Sequence, residues 1–412
     1  MTAMGRGLGM DLKRLAKVAA FFDETYVQTG RHAGVQLSVL RRGELVHQTT
    51  HGLADRERGT PLREDAIFRI YSMTKPLTAV AFMMLVEEGK VALDDPVERY
   101  IPSWKNLQVF EGVKKSGRFK TRPAAAPMRI VDLLRHTSGL TYHLHGQNPV
   151  DAAYLDQQLS FSHGKHDREG FIATLAGLPL TASPGDIWTY SVSSDVLGYL
   201  IEKISETPFD QFLKTRILDP LGMDDTAFQV AAKNVDRFTA CYMRTPAGET
   251  ILLDDPITSP YLQPPRFVSG GGGLTSTSKD YLQFLRMLLG RGELNGHRFI
   301  APKTLDLMTA NHIPGGKDLT SGSPSQFNEA IYEGVGFGLG FAVTFDQPKT
   351  LLPGSNGDFF WGGWASTYFW VDPAEDLAVL YMAQLGPSNS YANRRQLRTL
   401  VYSALTETAP RS

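Results

Sequence analysis

Strand-forming patterns stand only at the two ends of this 412-residue chain, and their placement limits the folds open to it. Near the start, Val35-Gln-Leu-Ser-Val-Leu40 alternates, Arg41-Arg42-Gly43 turns, and Glu44 to Thr50 returns, which predicts a β-hairpin. An amphipathic helix precedes it over Asp11 to Tyr26, with Leu12, Leu15, Val18, Ala19 and Phe22 on one stripe. Near the end, Phe337 to Phe345, Tyr368 to Val371 and Leu377 to Ala383 are β-rich, and Asn393 to Thr406 reads as a closing helix. Between them the chain turns helical. Asp94 and Asp95 are placed to cap a segment with Pro96 at its first position and Val97 to Ile101 following. Further helices are expected over Arg129 to Arg135, Glu169 to Leu175, Ser194 to Ser205 and Phe209 to Leu218. These patterns predict an α+β fold: one antiparallel sheet built from both termini and flanked by helices, plus a mainly helical second lobe. The expected division is 1–95 together with 266–412 as the sheet domain and 96–265 as the helical domain. The active site is expected in the cleft between them.

Composition narrows the class of protein. A hydrophobic fraction of 42% with 21% charged residues suits a globular chain with a large core. The formal net charge of −1 gives no reason to expect nucleic acid or an anionic membrane as partner. No window reaches the roughly 18 apolar residues of a membrane span. The Gly-rich Met1 to Met10 segment lacks a signal-peptide core, so a cytoplasmic protein is expected. The single cysteine, Cys241, excludes an internal disulfide and a cysteine metal cluster, and its context suits an inert, partly buried thiol.

The strongest chemical signal is Ser72-Met73-Thr74-Lys75 ahead of the apolar stretch Pro76 to Glu88, which Gly89 is suited to stop. Positions i and i+3 share a helix face, so the Lys75 amine is expected beside the Ser72 hydroxyl. Ser72 is expected at or next to the N-cap, where free backbone N–H groups stabilise an oxyanion and disfavour a protonated amine. Both effects suit a serine nucleophile with a lysine base. A third group is needed to relay the proton to a leaving oxygen. Tyr190, after the Pro184-Gly185 turn and before the Ser194 helix, stands where a phenol can reach a cleft or pack by its ring.

Other patterns carry less. No serine lies between the two glycines of a Gly-x-Ser-x-Gly elbow, and neither a His-Glu-x-x-His zinc motif nor a phosphate loop occurs. The run Gly270 to Gly273 reads as tight backbone beside a cleft. Ser276-Thr-Ser-Lys279 repeats Ser-x-x-Lys, but Ser276 suits an N-cap for a helix over Lys279 to Leu289. Lys114 to Arg122 is a basic run read as a solvated loop. His143, His145, His163 and His166, with Asp151, Asp156 and Asp167 near, lack the fixed spacing of a metal site, and no metal is expected. His136 is read as a structural hydrogen-bonder and Asp195 as part of a helix start.

Taken together, Ser72-x-x-Lys75, Tyr190-Ser191-Val192 and Trp361-Gly362-Gly363 resemble the three boxes of family VIII carboxylesterases. That family lies in the superfamily of class C β-lactamases and penicillin-binding DD-peptidases. His136-Thr-Ser-Gly-Leu140, Asp219-Pro-Leu-Gly-Met223, Ser269-Gly-Gly-Gly-Gly-Leu274 and Phe337-Gly-Leu-Gly-Phe341 are similar to further segments of that superfamily. The resemblance implies a class C β-lactamase-like fold, Ser72 as nucleophile, Lys75 as its base and Tyr190 as proton relay. It further implies an oxyanion hole from the N–H groups of Ser72 and Trp364, with Trp361, Gly362 and Gly363 lining the substrate. The two glycines are expected to leave room for an ester beside the strand.

The departures select among relatives. Trp361 stands where β-lactamases carry the lysine that meets a drug carboxylate, and Val192 replaces an amide-binding asparagine. Lys115-Ser116-Gly117 and Tyr391-Ala392-Asn393 imitate those boxes but in the wrong chain order. The expectation is a serine carboxylesterase acting on short-acyl, small-molecule esters without metal or cofactor, its oligomeric state open. A β-lactamase or DD-peptidase, an acyltransferase of the same fold, or a binding protein that kept the fold are the alternatives.

Overall fold

The computed structural model describes residues 8–159, 165–322 and 333–408. Helix α1 (Leu12–Phe22) starts at Asp11, whose carboxylate accepts the N–H groups of Lys13 and Arg14. Strands β1 (Gly34–Arg41) and β2 (Glu44–Asp55) form the expected hairpin, and β3 (Thr60–Pro61) extends it. Helix α2 (Thr74–Glu87) follows, with Gly89 at φ +69° behind its end. The other elements that matter for the site are helices α3 (Ser193–Ser205) and α4 (Ser278–Leu289). Then come strands β4 (Val335–Phe337), β5 (Ala342–Thr344), β6 (Phe359–Gly362), β7 (Tyr368–Asp372) and β8 (Leu377–Met382), and helix α5 (Asn393–Tyr402).

The strands order as β4-β5-β6-β7-β8-β1-β2-β3, and every pairing in this sheet is antiparallel. The last strand, β8, therefore joins the first, β1, with Gln36 opposite Met382 and Leu37 opposite Tyr381. Alternation explains how one strand serves two layers. The Gln36 amide oxygen accepts from Ser278 Oγ of α4, whereas Tyr381, paired with its neighbour Leu37, meets Phe22 of α1 at 5.3 Å between rings. Helix α4 thus covers one face and α1 with α5 the other, so β1 is buried along its whole length.

Helix α2 is apolar all round and buried from Thr74 to Leu85, as an internal helix must be. It packs on α3, and Gly340 (φ +96°) passes so close that a Cβ there would stand 2.4 Å from that of Ala79. The continuous strand expected over Phe337 to Phe345 is instead a hairpin: the chain reverses at Gly338 to Phe341, where Gly338 N donates to Phe341 O, and β4 pairs antiparallel with β5.

Several local expectations are corrected. Only a single 3-10 turn, Val97–Arg99, stands at Val97 to Ile101, because Pro96 is extended. The basic run caps a hairpin, Gln108–Val113 with Phe119–Pro123, and a second hairpin joins Cys241–Arg244 to Thr250–Asp254, so the middle of the chain is less purely helical than expected. Thr277, not Ser276, caps α4, and the Ser276 hydroxyl instead meets that of Thr226 at 2.7 Å. Strand β6 escaped the pattern because four residues running into a glycine pair show no alternation.

Candidate active site

Ser72 lies in a 3-10 turn, Tyr71–Met73, and Met73 is the N-cap of α2, so the serine stands one residue before the cap. Tyr71 takes φ +43°, a left-handed conformation that costs a tyrosine energy and here turns the chain sharply into the helix. Lys75, one turn on, is buried and donates to Gly271 O at 2.6 Å, to Ser72 Oγ at 3.2 Å and to Tyr142 OH at 3.2 Å. With one N–H committed to the Gly271 carbonyl, a neutral Lys75 keeps a lone pair for the serine or the phenol.

Tyr190 is 1% exposed, and its ring centroid lies 4.6 Å from Lys75 Nζ. Its backbone is held from two sides: Thr189 N donates to His136 O, and His145 Nε2 meets Tyr190 O at 2.6 Å. The Tyr190 ring packs on Tyr142 (5.3 Å), His136 (5.0 Å), Trp188 (6.1 Å) and Trp361 (5.3 Å), and Trp361 packs in turn on Phe337 (5.2 Å). Tyr190 is thus packed by its ring, and the face of that ring is what stands 4.6 Å from the Lys75 amine.

His136 is structural, as its context suggested. Its Nδ1 meets Ser191 Oγ at 3.2 Å, and Ser191, Ser193 and Ser138 continue a chain of buried hydroxyls at 2.8 Å each. Burial, and secondarily the charge of Lys75, holds its imidazole well below the usual pKa.

Two side chains that sequence reasoning left out complete the cluster. Tyr142 contacts Lys75 directly, and burial with the nearby Asp195 carboxylate pushes its phenol well above the ordinary value. Asp195 is in the first turn of α3, as expected, but it does more than cap. It is buried, accepts from Ser269 Oγ at 2.5 Å and from Gly271 N at 3.1 Å, and lies close enough to Tyr142 to raise its phenol pKa. The glycine run explains itself here: a Cβ on Gly270 would lie 2.4 Å from Ser194 O, and one on Gly271 2.5 Å from Asp195 Oδ2. A glycine run facing a helix start that carries an acid was the available signal.

Packing gives Gly362 and Gly363 a reason of its own. A Cβ on Gly362 would lie 2.4 Å from the Arg394 guanidinium, and one on Gly363 2.2 Å from Thr367 Oγ1 and 2.5 Å from Ile70 O. The protein's own packing demands these glycines. Gly363 lets the end of β6 press against the backbone just before Ser72, and Arg394 donates to the carbonyls of Gly363 and Thr367 at 3.1 Å each. Trp364 follows, its ring 5.7 Å from that of Tyr71, and a Cβ on Gly386 would lie 2.2 Å from its indole.

The imitations lie elsewhere. Lys115-Ser116-Gly117 sits at a hairpin tip, and Tyr391 packs on Tyr26 and His32 near the start of α5. Cys241 is buried 3.7 Å from Tyr71 OH, and burial raises its thiol pKa. His145 binds the Tyr190 carbonyl and His166 Nε2 meets Gln157 O, while His163 lies outside the described residues. No group of three metal-ligating side chains occurs among the described residues. Nor is any described helix long and apolar enough to cross a membrane.

Comparison with known proteins agrees with this architecture. The family described as Beta-lactamase matches residues 20–403. Protein Rv1367c of Mycobacterium tuberculosis is 38% identical over 367 residues, 88% of either chain. Esterase EstB of Burkholderia gladioli is 30% identical over 387 residues, 89% of either chain. Among solved structures, EstCE1, a hydrolase with promiscuous acyltransferase activity, superposes with a TM-score of 0.78 at 27% identity, covering 95% of this chain and 99% of its own. A class C β-lactamase mutant gives 0.67 at 16% identity, covering 95% and 98%, and speaks for the fold alone. With its large antiparallel sheet, its buried Ser72–Lys75 pair and a match across nearly its whole length, the chain belongs to the β-lactamase family and has the class C β-lactamase-like fold.

Proposed function

We propose that this protein is a serine carboxylesterase of the family VIII type, hydrolysing small, uncharged short-acyl esters through an acyl-enzyme. The observation that carries this reading is the Lys75 amine, buried at the start of α2, within 3.2 Å of Ser72 Oγ and under the ring of Tyr190. Lys75 takes the Ser72 proton as Oγ attacks the ester carbonyl carbon, and the carbonyl π electrons move onto its oxygen. The N–H groups of Ser72 and Trp364 hold that oxyanion, where losing one donor typically costs about 3 kcal/mol of barrier. Tyr190 passes the proton to the departing alkoxide as the C–O bond breaks. Water then attacks the acyl-serine by the same route in reverse. The site lies in the cleft between the sheet domain, 1–95 with 266–412, and the segment 96–265.

Trp361 supports the choice of substrate. It stands where an anionic β-lactam needs a cation, and its ring, 1% exposed, packs on Tyr190 and Phe337 and supplies no charge there. The nearby Arg394 is buried and engaged with backbone carbonyls. The relationship to EstB supports ester chemistry. In the test, turnover of p-nitrophenyl butyrate is lost in Ser72→Ala, and a phosphonate inhibitor adds once, on the peptide holding Ser72. Activity at the wild-type level in Ser72→Ala sinks the proposal. A second reading, acyl transfer to an alcohol, is favoured by the likeness to EstCE1. It predicts that added alcohol raises the ratio of transfer to hydrolysis well above what simple dilution of water gives.

A further inference from the structure

We propose that Asp195 is a positioning residue that sets the proton affinity of Lys75 through Tyr142 and the loop at Gly271. The proposal rests on the reading of Lys75 as the base of Ser72. The geometry provides two short routes between carboxylate and amine. In the first, the Asp195 carboxylate lies beside Tyr142, the two meeting over Gly271, and the Tyr142 hydroxyl is 3.2 Å from Lys75 Nζ. In the second, Asp195 accepts from Gly271 N at 3.1 Å, and the carbonyl of that residue accepts from Lys75 at 2.6 Å. Gly271 must lack a side chain for both to close, because a Cβ there would lie 2.5 Å from Asp195 Oδ2 and 3.0 Å from Tyr142 OH.

A buried carboxylate needs compensation. Asp195 is 2% exposed, and its compensation comes from Ser269 Oγ, Gly271 N, Tyr142 and the charge of Lys75. Burial raises its pKa and Lys75 lowers it, so by reciprocity the carboxylate favours the protonated lysine. Other titratable groups face the amine as well. Burial holds Tyr142 and His136 neutral, and Tyr190 turns the face of its ring to the amine. His145 stands one layer out against Tyr190 O, with Asp151 behind it. On the remaining side of α2, the charged pair Arg216–Glu88 lies at the opposite end of the helix. Asp195 therefore acts as the anionic member of this cluster. It holds Lys75 aligned in the resting enzyme and raises the pH at which the base becomes free.

The test is kcat/KM for p-nitrophenyl butyrate against pH in the intact protein. Replacing the charge in Asp195→Asn moves the ascending limb to lower pH by roughly one unit, the size expected of a nearby buried charge, and lowers kcat. Removing the hydroxyl that shares the charge, in Ser269→Ala, moves the limb the other way, to higher pH. A structural role alone lowers activity without opposite displacements. Limbs that stay at the wild-type position, or that move in the same direction in both variants, overturn the proposal. Should Asp195→Asn not fold, Ser269→Ala decides alone: an unmoved or acid-shifted limb overturns it. Activity surviving in Ser72→Ala instead overturns the esterase reading, whereas Ser72-dependent activity with unmoved limbs overturns only the part given to Asp195.

Discussion

Ser72 and Lys75 share one segment and Tyr190 stands far from it in sequence, yet each could be singled out because its type and local context are chemically demanding. The serine needs a helix start, the lysine one turn of spacing, and the tyrosine a turn before a helix. Tyr142 escaped and Asp195 was read only as part of a helix start, because their chemistry comes from contacts across α2, α3 and the glycine run. If Tyr190 relays the proton, Tyr190→Phe lowers kcat by about 10²–10⁴-fold with KM little changed, the usual weight of a general acid–base group. Steady-state kinetics on p-nitrophenyl butyrate check this, and a fall of less than threefold removes the tyrosine from the relay. Gly363→Ala probes the packing role of that glycine. Its Cβ would lie 2.2 Å from Thr367 Oγ1 and 2.5 Å from Ile70 O, so overpacking of about 1–3 kcal/mol is expected in urea unfolding, with reduced kcat.

Helix α2 shows how an element comes to be placed rather than merely formed. Its apolar sequence, its stop at Gly89 and its start near Ser72 all follow from local rules, but those rules do not say what presses on it. Gly340 does, at φ +96° and within reach of Ala79, one turn beyond Lys75. Gly340→Ala should lower the thermal midpoint and slow the burst of p-nitrophenol, because the helix that carries Lys75 and follows directly on the Ser72 turn has to shift. Gly296→Ala is the matched control: φ there is +76° and nothing lies within 4 Å of the added carbon, so only backbone strain of about 1 kcal/mol is expected. Equal losses of burst rate in both variants would argue against a packing effect on α2. The hairpin at Gln108–Val113 and Phe119–Pro123 makes the opposite point. Its turn is Lys-rich and its strands are half-exposed, so charge concealed a pairing that the register Val109 opposite Arg122 makes plain.

The two ends of the chain are tied to each other at several levels. Strand β8 lies beside β1, α5 packs on α1, and Asp11 N donates to Ala404 O. A buried ion pair joins Arg398 of α5 to Asp358 just before β6, where the Arg398 guanidinium also lies over Trp370 and Phe360. Cutting one partner leaves an uncompensated buried charge, so Asp358→Ala is expected to cost about 3–5 kcal/mol in urea unfolding. A cost below 1 kcal/mol contradicts a buried pair. Stability should also depend on acid pH. Burial lowers the His32 pKa to about 3, against an ordinary 6.5, and lowers that of His136 as well. Between those values the unfolded chain binds protons that the folded chain refuses, so stability is complete above pH 6.5 and falls as the pH drops toward 3. Each such histidine contributes up to about 1.4 kcal/mol per pH unit. His32→Gln should flatten the dependence measured by urea unfolding between pH 6.5 and 4.5, and an unchanged slope would exclude His32 as a source.

Local pattern alone determined most of the helices, the opening hairpin, strands β7 and β8 and the pairing of Ser72 with Lys75, because capping, periodicity and one-turn spacing act between near neighbours. Tertiary structure alone decided which groups surround that amine, why Gly362 and Gly363 carry no side chain, and how Asp195 meets Tyr142. Those contacts join residues tens to hundreds of positions apart, and short-range sequence rules do not reach that far.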